Sequence, residues 1–338
     1  PASWADAKDP EGKTVELPEF IEQILIPMNK QEGDSLPVSA FDGIEDGTFP
    51  SGTAAYEKRG VAAHLPEWGP ENCIQCNQCS FVCPHAAIRP MLLDEKEKAA
   101  APAGFETVQA RGKGMEGLQY RMQVSALDCL GCGNCADICP AKEKALVMKP
   151  FAEVEKESVN WDYGIKLPRK EDRVNVQTVK GSQFAKPYIE FSGACSGCGE
   201  TPYIKLVTQL FGDRMMIANA TGCSSIWGAS APSMPYCKDE NGRGPAWANS
   251  LFEDNAEYGY GMVVANKQIR NKLEDLMKEL LEMDVDAELK TAMTEWIENK
   301  DNGNVTREKS DNVIAAIENM KSGNAEAKEI CGQIMEKK

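Results

Sequence analysis

The sequence predicts an α+β domain built on a repeated cysteine run, followed by part of an open α/β unit and a helical C-terminal region. Three observations predict this architecture. Two cysteine runs of identical spacing begin at residues 73 and 129, and a short strand-like segment follows each of them. A loop, a helix-like segment and a buried strand-like segment then follow one another between residues 191 and 218. From residue 256 onward, apolar side chains recur at helical spacing.

The two cysteine runs carry the strongest chemical signal in the chain. They read Cys73-x2-Cys76-x2-Cys79-x3-Cys83-Pro84 and Cys129-x2-Cys132-x2-Cys135-x3-Cys139-Pro140. This is the bacterial iron–sulfur pattern, in which three close cysteines hold one cluster and the fourth ligates the other. The spacing therefore predicts a ferredoxin-like domain with two [4Fe–4S] clusters. We name their ligand sets site 1, which is Cys73, Cys76, Cys79 and Cys139, and site 2, which is Cys129, Cys132, Cys135 and Cys83.

Two other uses of these cysteines fit the pattern less well. A pair of zinc sites would need four ligands in two pairs, which does not explain a doubled three-plus-one run followed by proline. A disulfide framework is typical of small secreted domains, whereas this chain has 338 residues. The thirteen cysteines, most of them placed as metal ligands, instead predict a reducing, cytoplasmic setting.

The amino-acid composition makes some classes of binding partner unfavourable. The net charge of −15 disfavours nucleic acid and anionic membrane surfaces. The chain has no long uninterrupted apolar run, which predicts no transmembrane span. Its first twelve residues are polar and charged, unlike a signal peptide. The length suggests two or three domains.

The chain divides into four predicted regions. Residues 1–60 are interpreted as a connecting arm with a short helix at 17–26, and residues 61–150 as the ferredoxin-like domain. Within that domain, residues 99–117 suggest an inserted loop or hairpin, 120–124 a strand, and 87–90 and 145–148 the short strands that follow each run. Residues 151–187 are interpreted as a linker, and 188–338 as the α/β unit with its helical end.

A second group of cysteines begins the α/β unit. Cys195 and Cys198 lie in a loop before a predicted helix, in which Thr201 is the expected N-cap and Pro202 lies in the first turn. An apolar stripe of this helix is formed by Ile204, Val207 and Leu210 or Phe211. A predicted strand at 215–218 leads to Cys223. Because ligands bind beyond the carboxyl ends of strands in open α/β sheets, these three thiols could meet there.

On spacing alone, zinc binding and thioredoxin-like redox chemistry remain alternatives for this second group. Haem attachment is excluded, because Gly199 rather than histidine follows Cys198. The glycine-rich segment 242–255 is not a phosphate-binding P-loop, since no Gly-Lys-Ser/Thr ends it. Cys237 and Cys331 are interpreted as ordinary thiols.

Four stretches of this sequence resemble the pyruvate:ferredoxin oxidoreductase family, whose members use thiamine diphosphate to cleave 2-oxo acids. They are 33–41 (GDSLPVSAF) with 46–50 (DGTFP); the doubled cysteine run with 83–85 (CPH); 194–203 (ACSGCGETPY) with 222–225 (GCSS); and 244–257 (GPAWANSLFEDNAE). Many ferredoxins share the cysteine run, but the third and fourth stretches together are specific. The resemblance spans nearly the whole chain.

The resemblance implies three ligands of a third, proximal [4Fe–4S] cluster, which we name the proximal group: Cys195, Cys198 and Cys223. It also implies that Glu200 and Cys223 contact thiamine diphosphate, which binds with Mg²⁺ in the complete enzyme. No Gly-Asp-Gly magnesium motif occurs, and the fourth proximal ligand is expected beyond the chain. The chain is therefore interpreted as an internal segment that is inactive alone, with no confidently assigned catalytic residue.

The implied reaction is oxidative decarboxylation of pyruvate with CoA to acetyl-CoA and CO₂. Electrons are expected to pass through the three clusters to ferredoxin or flavodoxin. The implied partners are the remaining domains of the same enzyme and a second copy in a homodimer. Two alternatives stay open: a stand-alone electron-transfer protein with two clusters, and an oxidoreductase for another 2-oxo acid.

Overall fold

The computed structural model describes residues 17–230, 233–303 and 305–337, and it divides the chain into two units between Phe252 and Glu253. The first part of the predicted arm, residues 1–16, lies outside the described residues. The rest of the arm begins with a helical segment that comprises Ile21–Leu25 and Ile26–Asn29, close to the predicted helix. None of the described helices is both long and apolar enough to cross a membrane.

Seven strands occur in the described part of the chain. They are β1 (His64–Trp68), β2 (Ile88–Leu93), β3 (Val108–Gln109), β4 (Gln119–Val124), β5 (Leu146–Pro150), β6 (Met216–Ala220) and β7 (Ala246–Ser250). The first five belong to the predicted ferredoxin-like domain and pair antiparallel in two small sheets. The last two form a parallel pair.

Thirteen α-helices occur in the same described ranges. They are α1 (Ile26–Asn29), α2 (Gln78–Phe81), α3 (Glu95–Ala99), α4 (Asn134–Asp137), α5 (Phe151–Val154), α6 (Ser158–Gly164), α7 (Val179–Ser182), α8 (Thr201–Phe211), α9 (Cys223–Ser225), α10 (Asn255–Leu281), α11 (Ala287–Asn299), α12 (Thr306–Glu318) and α13 (Ala325–Met335). The helices of the first unit are short, apart from α8, whereas the second unit consists of α10 to α13.

A reciprocal pairing of strands joins the two cysteine runs. β1 precedes the first run and pairs with β5, which follows the second run. β4 precedes the second run and pairs with β2, which follows the first run. This exchange places the end of each run beside the beginning of the other. It brings the fourth cysteine of each run towards the first three cysteines of the other run.

Both runs turn at two positions with a left-handed backbone. In the second run these are Gly131 and Gly133, at φ values of 68° and 81°. The equivalent positions of the first run hold Gln75 and Asn77, at 59° and 60°. Residues with side chains rarely adopt this conformation unless their surroundings hold them in it. Both side chains are buried, as such a constraint requires.

Hydrogen bonds from outside the run hold these two residues in place. Nε2 of Gln75 donates to the carbonyl oxygen of Gln109, at 2.9 Å. Nδ2 of Asn77 donates to the carbonyl oxygen of Lys180 at 2.8 Å, and its Oδ1 accepts from the Tyr120 hydroxyl at 2.7 Å. The partners come from β3, α7 and β4. The insertion between the runs and the segment that contains α7 therefore stabilise the turn that carries site 1.

The segment predicted as a linker, residues 151–187, contains α5, α6 and α7. Trp161 and Phe184 from this segment are buried in apolar clusters with residues of β2 and β4. Glu157 forms an ion pair with the buried Arg121 of β4. The segment therefore packs on the ferredoxin-like domain along its length.

Helix α8 buries polar side chains, whereas two residues of its predicted apolar stripe lie at the surface. Val207 and Phe211 are exposed. The fully buried side chains are instead Thr201, Lys205 and Thr208. Lys205 Nζ donates to a carbonyl oxygen at the end of the first cysteine run, and the Thr208 hydroxyl accepts from the backbone N–H of Tyr188. Thr201 Oγ1, in contrast, has no hydrogen-bond partner among the described residues. Burial of this face is favourable because those backbone groups become hydrogen-bonded.

The helical unit after Phe252 has its own core. Leu280, Leu289 and Met293 are completely buried there. Cys331 is buried in the same apolar cluster, so its thiol has the surroundings of a core residue. Ile269, near the middle of α10, is exposed.

Candidate iron–sulfur centres

The eight cysteines of the two runs line two cavities. One cavity is lined by all four cysteines of site 1. The other is lined by all four cysteines of site 2. Each cavity combines three thiols from one run with the fourth thiol of the other run. The reciprocal strand pairing produces this exchange.

The side chains in each cavity surround a space and do not converge on one point. Within the ranges that the structure describes, no three His, Cys, Asp or Glu side chains are grouped as ligands of a single metal ion. Four cysteines on the wall of one cavity suit a group with several iron atoms, bound corner by corner. The donor set fits a [4Fe–4S] cluster in each site, which would supply one-electron storage there.

Burial raises the pKa of at least one thiol in each cavity. The pKa of Cys129 in site 2 rises to about 12, mainly through burial, and repulsion from Cys83 adds to the rise. The pKa of Cys79 in site 1 is also raised by burial, and repulsion from Cys73 adds to it. Several thiolates in one buried cavity are stable only beside a positive group. The electrostatics therefore suit an iron core between them.

The loop that carries Cys195 and Cys198 lies directly against site 2. The Ser196 hydroxyl donates to the carbonyl oxygen of Leu130 in the second run, at 3.0 Å. A side chain at Gly197 would contact the Cys132 side chain, which shows how closely the loop approaches. The first two thiols of the proximal group therefore lie next to site 2.

His85 also contacts this loop. Its Nδ1 lies 3.2 Å from the carbonyl oxygen of Ser192, and its Nε2 lies 3.2 Å from that of Cys195. The imidazole also lines the cavity of site 2. Burial lowers its pKa below the ordinary histidine range. His85 thus joins the Cys195 loop to the wall of site 2.

Cys223 begins the short helix α9, immediately after β6. Trp227, one turn farther along, packs in the same apolar cluster as Cys198. Cys195 and Cys223 are both exposed, and Cys198 is partly buried. The structure therefore places the segments of the proximal group in one region, although its three thiols do not converge as ligands of a single ion.

Several buried polar atoms in this region have no hydrogen-bond partner among the described residues. They are Ser192 Oγ, Thr201 Oγ1, Trp227 Nε1 and Trp247 Nε1. Buried polar groups are usually paired, so a cluster of orphans is typical of a site whose ligand supplies the missing contacts. They lie on the segments that flank the proximal group, and they fit a bound cofactor there.

Glu200 lies at the start of α8 and is exposed. The helix begins at Thr201, so Glu200 is the N-cap residue and the predicted N-cap at Thr201 is wrong by one position. No side-chain hydrogen bond caps this end of the helix. The Glu200 side chain is therefore exposed at the N-terminal end of α8.

The surfaces of the two cluster sites differ in exposure. Ile74 and Ile138, which each adjoin a cysteine of site 1, are 53% and 42% exposed. The equivalent residues of site 2 are Leu130 and Val82, and both are only partly exposed. The Cys195 loop approaches the Leu130 side of site 2. Site 1 is therefore the more accessible of the two from solvent.

Lys205 is a residue that the sequence patterns did not indicate. Its side chain is buried, and its Nζ donates to carbonyl oxygens of the first cysteine run. Burial lowers its pKa to about 8, and attraction to the Cys83 thiolate opposes that shift. A lysine on an amphipathic helix ordinarily faces solvent, so spacing alone gives no signal for it.

Comparison with known families identifies two segments. A family model described as a 4Fe-4S dicluster domain matches residues 72–145, which include both cysteine runs. A second model, described as EKR, a domain of unknown function, matches residues 6–62, part of which lies outside the described ranges. The first match assigns iron–sulfur clusters to the domain that holds sites 1 and 2.

Comparison with individual proteins gives matches over nearly the whole chain. The chain is 59% identical over 317 residues to a pyruvate-flavodoxin oxidoreductase of Enterobacter agglomerans and 57% identical over 319 residues to a pyruvate:ferredoxin oxidoreductase of Moorella thermoacetica. A mitochondrial NADP⁺ pyruvate dehydrogenase of Euglena gracilis is 46% identical over 334 residues. These matches cover 93%, 94% and 98% of the chain, which spans only 27%, 27% and 18% of the relatives.

Proposed function

Since this chain belongs, as a segment, to the pyruvate:ferredoxin (flavodoxin) oxidoreductase family, we propose that it carries electrons within such an enzyme. One observation carries the proposal. Two cavities are each lined by four cysteines, and the loop that holds Cys195 and Cys198 packs against one of them. The complete enzyme would catalyse oxidative decarboxylation of pyruvate with CoA to acetyl-CoA and CO₂. Its electron acceptor would be ferredoxin or flavodoxin.

The proposal gives each group of cysteines one cofactor. Sites 1 and 2 each hold a [4Fe–4S] cluster, and the proximal group supplies three ligands of a third. Glu200 and Cys223 contact thiamine diphosphate, which binds with Mg²⁺ and supplies the chemistry that releases CO₂ and two electrons. The clusters, when bound, accept these electrons singly. The protein positions the cofactors and sets their potentials.

Packing supports one order of electron transfer. The Cys195 loop lies against site 2, through the contacts of Ser196 and His85. Site 1 is the more exposed of the two sites, through Ile74 and Ile138. We therefore assign the order as proximal group, then site 2, then site 1, then the external acceptor.

Exposed apolar side chains near the proximal group support a contact with further domains. Ile226, Leu251 and Phe252 are 58%, 64% and 76% exposed, and the first of them lies within one turn of Cys223. Adjacent exposed apolar residues commonly mark interaction surfaces. We propose that the remaining domains of the enzyme cover this face and complete the thiamine pocket.

Replacing Ile74 by aspartate is expected to weaken docking of the electron acceptor. The change puts a charge into the exposed apolar surface beside site 1, and loss of one central contact costs about 1.4 kcal/mol, or about tenfold in affinity. We expect the KM for ferredoxin to rise about tenfold while the rate of CO₂ release from pyruvate is unchanged. Steady-state kinetics with varied ferredoxin concentration measure both quantities.

Val159→Asp is the matched control for this change. Val159 is equally exposed, at 53%, but it lies on α6, outside both cysteine runs. It should leave the KM for ferredoxin unchanged. Equal effects of the two variants would show that the surface near Ile74 has no special role in docking. They would contradict the assignment of site 1 as the cluster that passes electrons to the external acceptor.

The whole protein that carries this sequence, purified without oxygen, tests the proposed function. We expect acetyl-CoA formation and ferredoxin reduction that both require pyruvate and CoA. Faster turnover of 2-oxoglutarate or indolepyruvate would indicate an oxidoreductase for another 2-oxo acid. Ferredoxin-coupled redox activity without turnover of any 2-oxo acid would instead support an electron-transfer protein.

A further inference from the structure

Lys205 is a buried cation beside the first cysteine run. Its side chain is 2% exposed, although lysine is rarely buried without a partner. Its Nζ donates to the carbonyl oxygens of Ser80, of Phe81 at 3.3 Å and of Cys83 at 3.0 Å. No described ion pair includes it. Three acceptors around one nitrogen match the three N–H groups of an ammonium, whereas a neutral amine has only two.

The three carbonyl groups lie on the one segment that serves both cluster sites. They follow Cys79, a thiol of site 1, and they extend to Cys83, a thiol of site 2. They include the C-terminal end of α2, where a positive charge stabilises the free carbonyls and the helix dipole. The Lys205 ammonium therefore lies between the ligands of the two sites.

Lys144 makes the equivalent contact in the second cysteine run. Its Nζ donates to the carbonyl oxygens of Asp137 and Cys139, both at 2.8 Å. These residues correspond to Phe81 and Cys83 of the first run. Lys144 is exposed, however, and it comes from the loop that follows its own run. Lys205 reaches the first run from a different helix and is buried.

This difference in burial determines how strongly the charge of each lysine affects a nearby cluster. Water and salt screen an exposed charge, whereas a buried charge acts through a medium of lower effective dielectric constant. Cluster potentials depend on nearby charge, on hydrogen bonds and on exposure. A reduced cluster carries one more negative charge than the oxidised one, so a fixed positive charge nearby favours the reduced form.

We propose that Lys205 is a positioning residue that holds the turn between Cys79 and Cys83 and raises the reduction potentials of the clusters in both sites. The inference rests on the proposed function, because it requires those clusters. The larger effect falls on site 2, since Lys205 bonds directly to the Cys83 backbone. The buried lysine thereby favours movement of electrons from the proximal group into site 2.

Redox titration followed by EPR tests this role in the whole protein, with iron content measured for every variant. In Lys205→Met, we expect both cluster potentials to become more negative, with the larger shift in site 2. Lys205→Arg keeps the charge and should restore potentials close to those of the original protein. Lys144→Met removes the exposed counterpart and should shift the site 1 potential much less.

Each outcome distinguishes a role of Lys205 in setting the reduction potentials of the clusters from a purely structural role. Unchanged potentials in Lys205→Met with normal iron content would overturn the inference. Loss of iron in Lys205→Met and Lys205→Gln, with full iron in Lys205→Arg, would show that the charge serves assembly alone and would also overturn it. Absence of clusters from the unaltered protein would instead refute the proposed function.

Discussion

Replacing Cys139 by alanine is expected to remove the cluster of site 1 and to leave that of site 2 intact. Cys139 belongs to the second run by sequence, but its thiol lines the cavity with Cys73, Cys76 and Cys79. A [4Fe–4S] cluster that loses one of four cysteine ligands is destabilised or converted to a cluster with fewer irons. We expect the loss of up to about four irons per chain and of one EPR signal.

Cys83→Ala is the mirror-image control, since this thiol of the first run lines the cavity of site 2. It should affect the other EPR signal and leave site 1 intact. Cluster-specific EPR of the two variants shows directly which cluster each of these cysteines ligates. Damage to the cluster nearest in sequence, in both variants, would refute the crossed ligation.

Replacing Cys223 by alanine is expected to block the exit of electrons in the complete enzyme. This residue begins the helix that follows β6, and the next turn packs in the same apolar cluster as Cys198. Loss of a ligand should cost more than the 10- to 100-fold typical of outer contacts, so we expect ferredoxin reduction to fall by at least about a hundredfold. Decarboxylation should persist in part, because thiamine chemistry precedes electron transfer.

The measurement compares release of labelled CO₂ from pyruvate with reduction of ferredoxin in the same preparation. Cys331→Ala provides a control, because this thiol is buried in the core of the helical unit. That variant should retain both activities unless the cavity destabilises the unit. Normal ferredoxin reduction by the Cys223 variant would exclude a role for this cysteine in the proximal group.

The pattern of the cysteine runs indicates which thiols share a cavity, because metal ligation leaves little freedom in spacing. The crossed cavities and the strands β2, β4 and β5 lie where the runs and their flanking segments indicate. The left-handed backbone at Gly131 is also compatible with the sequence, since glycine adopts this conformation readily.

Other features depend on contacts between distant segments and cannot be read from local patterns. Gln75 and Asn77 adopt left-handed conformations because β3, β4 and α7 hold their amides. The polar face of α8 is buried because Lys205 finds carbonyl acceptors 122 positions earlier in the chain. Hydrophobic spacing gives no indication of these acceptors, so it does not predict that this face of the helix is buried.

The iron and sulfide content of the whole protein, purified without oxygen, tests most directly whether three clusters form one path. Three [4Fe–4S] clusters predict about twelve irons and about twelve sulfides per chain, with a third EPR signal that disappears in Cys223→Ala. About eight irons, with signals unaffected by loss of Cys223, would contradict the path and leave a two-cluster electron carrier.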